Sequence, residues 1–484
     1  FVDGNANKSA DAGEWVANFE YTLDKAGNRI EATERFDLDD DGELADLAAT
    51  DDTADLKQTF YWEYDALNRL VAEVYDLDSG FAGDNTEDYI ATYGFDLASN
   101  RLSEQVDTDP SSGDISDFLT EPENTTLSFE ETTAYTYDAN DRLLSELKGD
   151  GGTFTNIVYE YGSSNSETTQ TAKITRNGST IGAGTYVEEV TFGYDAMGRM
   201  TSQTVDKYTG GSLDTSTTTT LAYNDSGIRV SKTVGGTTTT FLFDPMNPTG
   251  YAQVLEESEG GTLTKTFTLG HDVLTEAHHS GAGSGDPYTL LYDGHGSTRL
   301  LLNAAMQLAV NNPDATPGNS DDRAQVFNYD AYGTMLELAS VVAVIGGHSR
   351  ALAALAADAF TTFLYSGEHT NANGTQYLRA RYYDPTSGRF NRLDPWKGSI
   401  SSPMTLHKYI YTNNNPINLI DPTGLFSYNE LLTTITSLTK QYTGAIRAIR
   451  KAYNTAETVI DILDAIQNVR ICRHVEHRRS EMHR

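Results

Sequence analysis

Tyr194-Asp195-Ala196-Met197-Gly198-Arg199-Met200 sets an aromatic, an Asp, a short turn-forming stretch, an Arg and an aliphatic in that order. An Asp side chain can bond to backbone two residues on, and Gly or Asn tolerates a positive φ. Flanking segments such as Thr59-Phe60-Tyr61-Trp62-Glu63-Tyr64 are aromatic-rich and have strand character. The unit therefore reads as strand, tight turn, strand. It returns as Tyr64-Asp65-Ala66-Leu67-Asn68-Arg69-Leu70 and as Tyr137-Asp138-Ala139-Asn140-Asp141-Arg142-Leu143. Looser copies start at Leu23, Phe95 and Tyr223, and Tyr329-Asp330-Ala331-Tyr332-Gly333 lacks the Arg. Thr217–Thr220 and Thr237–Thr240 suit strands as well. The pattern predicts a mainly β fold in which hairpins stack into one long sheet. The repeated Asp and Tyr are expected to turn the chain and pack it, not to catalyse.

The 484 residues exceed one compact core of ordinary size, so several domains or an enlarged repeat structure are expected. The net charge of −36 argues against nucleic acid as a partner of the whole chain, because binding phosphates requires neutralising them. One Cys excludes an internal disulfide framework and a Cys-only zinc site. No apolar run approaches the roughly 20 residues that span a bilayer as a helix. Abundant aromatics argue against disorder despite the acidity. Phe1-Val2-Asp3-Gly4 carries neither an initiator Met nor a basic-then-apolar leader, which suggests a piece of a longer protein. The sequence contains no Gly-rich phosphate loop, nucleophile elbow or His-Glu-x-x-His segment.

Acidic inserts separate the repeats. Asp37, Asp39 and Asp41 with Gly42 match the first half of a calcium loop. Ala48 stands at the twelfth position, where a bidentate Glu is needed, so a solvated acidic loop is the favoured reading and calcium the alternative.

The densest set of motifs lies near the end. Tyr292-Asp293-Gly294-His295-Gly296-Ser297-Thr298-Arg299 comes first, then Phe363-Leu364-Tyr365-Ser366-Gly367-Glu368. Tyr377-Leu378-Arg379-Ala380-Arg381-Tyr382-Tyr383-Asp384-Pro385 runs on to Gly388-Arg389-Phe390. Leu393-Asp394-Pro395, Tyr409-Ile410-Tyr411-Thr412-Asn413-Asn414-Asn415-Pro416 and Ile420-Asp421-Pro422-Thr423-Gly424-Leu425 complete it. The hairpin unit resembles the YD repeat of the Rhs family, found in bacterial toxins and animal teneurins. The ordered C-terminal elements resemble that family's repeat-associated core domain. The resemblance implies a spiral sheet wound into a hollow shell over 1–345, a core over 346–425 that plugs one end, and a variable segment over 426–484. It further implies self-cleavage after Leu425, between Leu425 and Phe426, with Asp394 and Asp421 as the catalytic carboxylates and Arg381 in support. Two carboxylates sharing a site push their pKa values apart, so one can activate water while the other donates a proton. Asp244-Pro245 and Asp384-Pro385 are expected to be ordinary turns. Implied partners are the chain's own C-terminal segment as cargo, an immunity protein and a secretion-system component. The implied location is secreted or on the bacterial cell surface.

Residues 349–360 contain Ala351-Leu352-Ala353-Ala354-Leu355-Ala356-Ala357, which predicts a helix. After Leu425 the composition changes: nine Lys and Arg against six Asp and Glu, so the negative charge belongs to the rest of the chain. Ser427-Tyr428-Asn429-Glu430 forms a capping box, and apolar residues then recur at three- and four-residue steps, which predicts a short α-helical segment. Its basic end leaves nucleic acid or anionic membrane open as partners of 426–484 alone. Cys472, His474 and His477 lie close together, but their spacing matches no standard zinc site. A non-enzymatic cell-surface or adhesion protein is the alternative reading of the whole.

Overall fold

The computed structural model describes residues 17–37, 56–78, 88–108, 110, 115, 118, 129–150, 153–162, 170–180, 184–247, 250–279, 285–311, 322–336, 342–345, 348–352, 359–400 and 403–425. Twenty strands, from Ala17–Leu23 to Thr298–Leu302, form one antiparallel sheet in which each strand pairs with the next in sequence. The mainly β fold expected from the repeats is what forms.

Each repeat builds its turn in the same way. The Oδ1 of Asp65 accepts the amides of Leu67 and Arg69, both at 2.9 Å. Asp195 does so for Met197 and Arg199, and Asp138 for Asn140 and Arg142. The third residue after the Asp has positive φ: 59° at Asn68, 58° at Asp141 and 73° at Gly198. Gly and Asn are the residues that accept this region most easily. The second Asp oxygen takes the Nε of the repeat Arg, at 2.7 Å from Arg69 and 2.6 Å from Arg199.

The same residues stitch repeat to repeat. The repeat Tyr donates its hydroxyl to a backbone carbonyl upstream: Tyr64 to Arg29, Tyr137 to Arg101, Tyr194 to Thr171 and Tyr223 to Met200, over 2.6–2.9 Å. The Arg lies over the next aromatic: Arg69 over Phe95 at 4.8 Å, Arg142 over Tyr161 at 5.1 Å, Arg199 over Tyr223 at 5.2 Å. Such cation–π contacts contribute roughly 0.5–2 kcal/mol each, depending on burial.

The turns consequently line up along one end of the sheet. Asn28 donates to Asn68 at 3.0 Å, Arg69 to the Asp96 carbonyl at 2.9 Å, and Asn100 to Asp141 at 2.9 Å. The row returns on itself where Arg29 Nη2 donates to the Gly294 carbonyl (2.6 Å) and the Gly294 amide donates to Tyr21 Oη (2.8 Å). Above that contact Arg299 grips Glu34 through both Nη atoms, at 2.5 and 2.9 Å. No ladder joins the first strands to the twentieth among the described residues; side chains form the seam.

Residues 359–425 fill the end that the turns surround. Arg29 donates to the Ile417 carbonyl, Asn414 to Ser99, Arg389 to Asp141 and Arg379 Nε to Ala252, while the Thr171 amide donates to the Asn391 carbonyl. Two apolar clusters hold this filling in place. One joins Phe60, Trp62 and Tyr75 to Tyr332 and Ile417; the other joins Phe267 and Leu301 to Phe363, Tyr383, Phe390 and Tyr411. Beyond them the sheet lines a cavity of about 1130 Å³ with inward-facing Glu104, Glu146, Arg176, Glu188 and Lys207.

The helix expected over 349–360 is corrected. His348–Leu352 is a strand paired antiparallel with Val342–Ile345 and parallel with Arg323–Ala324. The helix preference of Ala is under about 1 kcal/mol per residue and loses to a ladder offered by a β-branched neighbour run; residues 353–358 lie outside the described set. An insert that the pattern did not reveal brings Ile115 and Phe118, both helical, onto Ala72, Val74 and Ile90. Asp37 is buried, whereas Asp39, Asp41 and the segment 426–484, expected to be helical, lie outside the described residues. Among the described residues no helix is long and apolar enough to cross a membrane.

The interior carries carboxyls that are more stable protonated. Burial, with Asp330 adding to it, pushes Glu73 up to about 8. Burial likewise pushes Glu146 up to about 7 and Asp330 up to about 6. A folded-state pKa above the unfolded value stabilises the fold at low pH, and this is lost as pH rises through the folded value. Thermal unfolding midpoints are therefore expected to fall between about pH 5 and pH 8.5, each group contributing up to about 1.4 kcal/mol per pH unit. Glu73→Gln should flatten the upper part of that decline; an unchanged slope would contradict it.

Candidate active site

Arg381 opens the strand Arg381–Asp384, which forms a two-residue hairpin with Gln376–Leu378. Asp394 follows the next strand, Arg389–Phe390, and Asp421 opens the last described turn. The three expected site residues come together and are all buried. Arg381 Nη2 lies 2.8 Å from Asp394 Oδ2 and 3.6 Å from Asp421 Oδ2. The guanidinium stacks 3.5 Å from the centre of the Phe390 ring, and Nη1 donates to the Lys408 carbonyl at 3.1 Å. That carbonyl also accepts the Asp394 amide (3.0 Å), and Asp394 Oδ1 accepts the Trp396 amide (2.7 Å), so the Asp394 side chain is fixed on both flanks.

Burial pushes Asp394 up to about 6; Arg381 and the Trp396 amide pull the other way, and Asp421 adds to the rise. Burial also lowers the Arg381 pKa, and the two carboxylates oppose that shift. The arrangement differs from a bare carboxylate pair: a single cation faces both acids and weakens their mutual repulsion.

Asp421 is built as a repeat turn. Its Oδ1 accepts the Leu425 amide at 3.1 Å, four residues on, and the Gly424 amide donates to the Asp421 carbonyl at 3.3 Å. Gly424, third after the Asp, has φ 67°. Leu425 stands where the repeats carry Arg, and the second oxygen of Asp421 faces Arg381 instead of an Arg of its own turn. A Cβ on Gly424 would lie 2.5 Å from the Leu378 carbonyl oxygen, so the close docking of this turn on the 376–384 hairpin requires glycine.

Three carbonyls in a row are held by three residues in a row. Arg379 Nη1 donates to Pro422, the Ala380 amide to Thr423 (3.2 Å), and Arg381 Nε to Gly424. Arg379 also pairs with Glu368 at 2.6 Å. Sequence reasoning left Arg379 and Glu368 out of the site: eleven residues separate them, and no local pattern joins them. Asp244 and Asp384 accept the Met246 and Thr386 amides, as turn residues do. Among the described residues no group of three or more His, Cys, Asp or Glu side chains is placed to hold a metal.

No family model matches the chain. The tRNA3(Ser)-specific nuclease WapA of Bacillus spizizenii is 26% identical over 308 residues, covering 60% of this chain and 12% of that protein. Toxin subunit YenC1 of Yersinia entomophaga is 36% identical over 101 residues, covering 20% of this chain and 10% of that protein. The chain thus spans a small part of the length of these relatives. The Tc holotoxin pore of Photorhabdus luminescens aligns over 84% of this chain and 21% of that one, at 14% identity and a TM-score of 0.34. The chain is thus similar in sequence to parts of a bacterial tRNA nuclease and of a bacterial toxin subunit.

Proposed function

We propose that the chain is the core-bearing part of a toxin-encapsulating shell that cuts itself between Leu425 and Phe426, separating the cargo 426–484. In this reading 1–345 forms the wall and 346–425 the plug. The observation that carries it is the Asp394–Arg381–Asp421 cluster, with Asp421 bonded to the amide of Leu425 itself.

Asp394, ion-paired to Arg381, is the ionised member and takes a proton from water. The resulting hydroxide adds to the Leu425 carbonyl carbon. Asp421 is the second acid and serves as the proton donor to the Phe426 nitrogen as the C–N bond breaks. The products are the Leu425 carboxylate and a new amino terminus at Phe426. General acid–base groups of this kind typically contribute 10²–10⁴-fold each. The location is secreted or cell-surface, and the further partners are an immunity protein and a secretion-system component. The acidic wall takes no nucleic acid.

Intact mass of the purified protein tests the cleavage. The expected result is two fragments joining at Leu425–Phe426, and a single whole chain for Asp394→Asn. A wild-type chain that stays whole under all conditions, or an Asp394→Asn chain cut at the same bond, would sink the reading.

A further inference from the structure

The clamp on the turn before the scissile bond contains one residue whose backbone is strained for its side chain's sake. Arg379 is the first central residue of the two-residue loop between Gln376–Leu378 and Arg381–Asp384, and its φ is 59°. Glycine is the usual occupant of such a position, and an L-residue there is strained. Strain persists where surrounding contacts over-determine it, and functional sites collect such residues. Here the contacts come from the side chain. Arg379 Nε donates to the Ala252 carbonyl at 3.1 Å, the guanidinium lies 4.1 Å from the Tyr251 ring centre, and Nη1 reaches both Glu368 Oε2 and the Pro422 carbonyl. Glu368 is 3% exposed.

We infer that Arg379, oriented by Glu368, is a positioning residue for the self-cleavage: it fixes the Pro422 carbonyl and so the placement of Leu425, three residues on, against the acid cluster. The inference rests on the cleavage reading above. Without the Arg379 contact, the Pro422 carbonyl loses this donor, while the turn keeps its bonds at Thr423 and Gly424 and the Arg381–Asp421 pair. A misplacement of about 1 Å at reacting atoms costs on the order of 10²-fold in rate. Glu368 faces Arg379 across the hairpin, Asp421 from the clamped turn, and Asp272, Tyr251 and Tyr411 from the elements around it. Burial pushes Glu368 up to about 7, so its charged, Arg-gripping form gains as pH rises through that value.

The test uses the full chain, diluted from denaturant into buffers of different pH, with cutting followed by intact mass. Arg379→Gly combined with Glu368→Gln relieves the strained φ and leaves no unpaired buried charge. Its fold is checked by thermal unfolding with Asp394→Asn added. The expected result is a folded chain cut roughly 10- to 100-fold more slowly, with Arg379→Lys in between. Wild type should show a roughly tenfold rate step centred near pH 7, and Glu368→Gln alone should lack it. A folded double variant cut at the wild-type rate overturns the inference, as does a step centred near pH 7 that survives in Glu368→Gln on top of the acceleration through about pH 6 that Asp394 gives both chains. If Asp394→Asn is itself cut, the cleavage reading fails and this inference falls with it.

Discussion

Asp421→Asn is expected to leave the chain whole while the fold is unchanged. The two halves of that statement separate because the turn and the proposed chemistry use different properties of one side chain. The turn needs only an acceptor for the amide four residues on, and Asn supplies one. Asn224 already accepts the Ile228 amide at 2.9 Å, and Asn303 accepts those of Ala305 and Gln307. Proton delivery needs a carboxyl group, which Asn lacks. Thermal midpoints of Asp421→Asn and Asp394→Asn should therefore agree within a few degrees, with cutting slowed by at least about 10²-fold. The pH dependence has a definite sign. Asp394 is pushed up to about 6 and acts ionised, so cutting accelerates as pH rises through about 6 and is slowest in acid. Cutting that speeds up below pH 6 would reverse the assigned roles of the two acids. An Asp421→Asn chain cut at the wild-type rate would remove Asp421 from the site altogether.

Arg299→Met is expected to be the most destabilising single change in the wall. Arg299 is 3% exposed and joins Glu34, Asp293 and Asn328, while Gln58 bonds both Glu34 (2.5 Å) and Asn328 (2.8 Å), and Tyr75 bonds Gln58 (2.9 Å). Met fills a similar volume over Phe36 but leaves two carboxylates without their cation. Breaking a buried pair from one side costs about 3–5 kcal/mol, whereas replacing both partners by apolar groups can be neutral. Urea unfolding should show that loss for Arg299→Met and recover much of it in Arg299→Met with Glu34→Leu. Equal losses in the single and double variants would show that the pair itself, not the stranded charge, holds the seam.

The hairpin fold was legible because each repeat carries its own turn chemistry: an Asp, then a residue suited to positive φ three places later. The paired acids were legible only through the order of the C-terminal motifs, since Asp394 and Asp421 look locally like any other Asp-Pro. What stayed hidden was longer in range. Nothing around Arg69 says that it lies over Phe95, and nothing around Arg29 says that it meets Gly294. The Ala-rich stretch misled because local helix preference was read without the strand Val342–Ile345 that claims it. The Arg379–Glu368 pair escaped because its meaning lies in a third segment, the Pro422 carbonyl.

The side-chain seam sets how this wall can part. Backbone ladders share load among many equivalent bonds, and none of them responds to protonation. The join between Arg29, Glu34 and Tyr21 on one side and Gly294 and Arg299 on the other is short, polar and sequence-specific. The sheet is thus a coil whose ends meet through side chains, and the filling of 359–425 and the apolar cluster around Phe60 and Val326 hold those same ends from within.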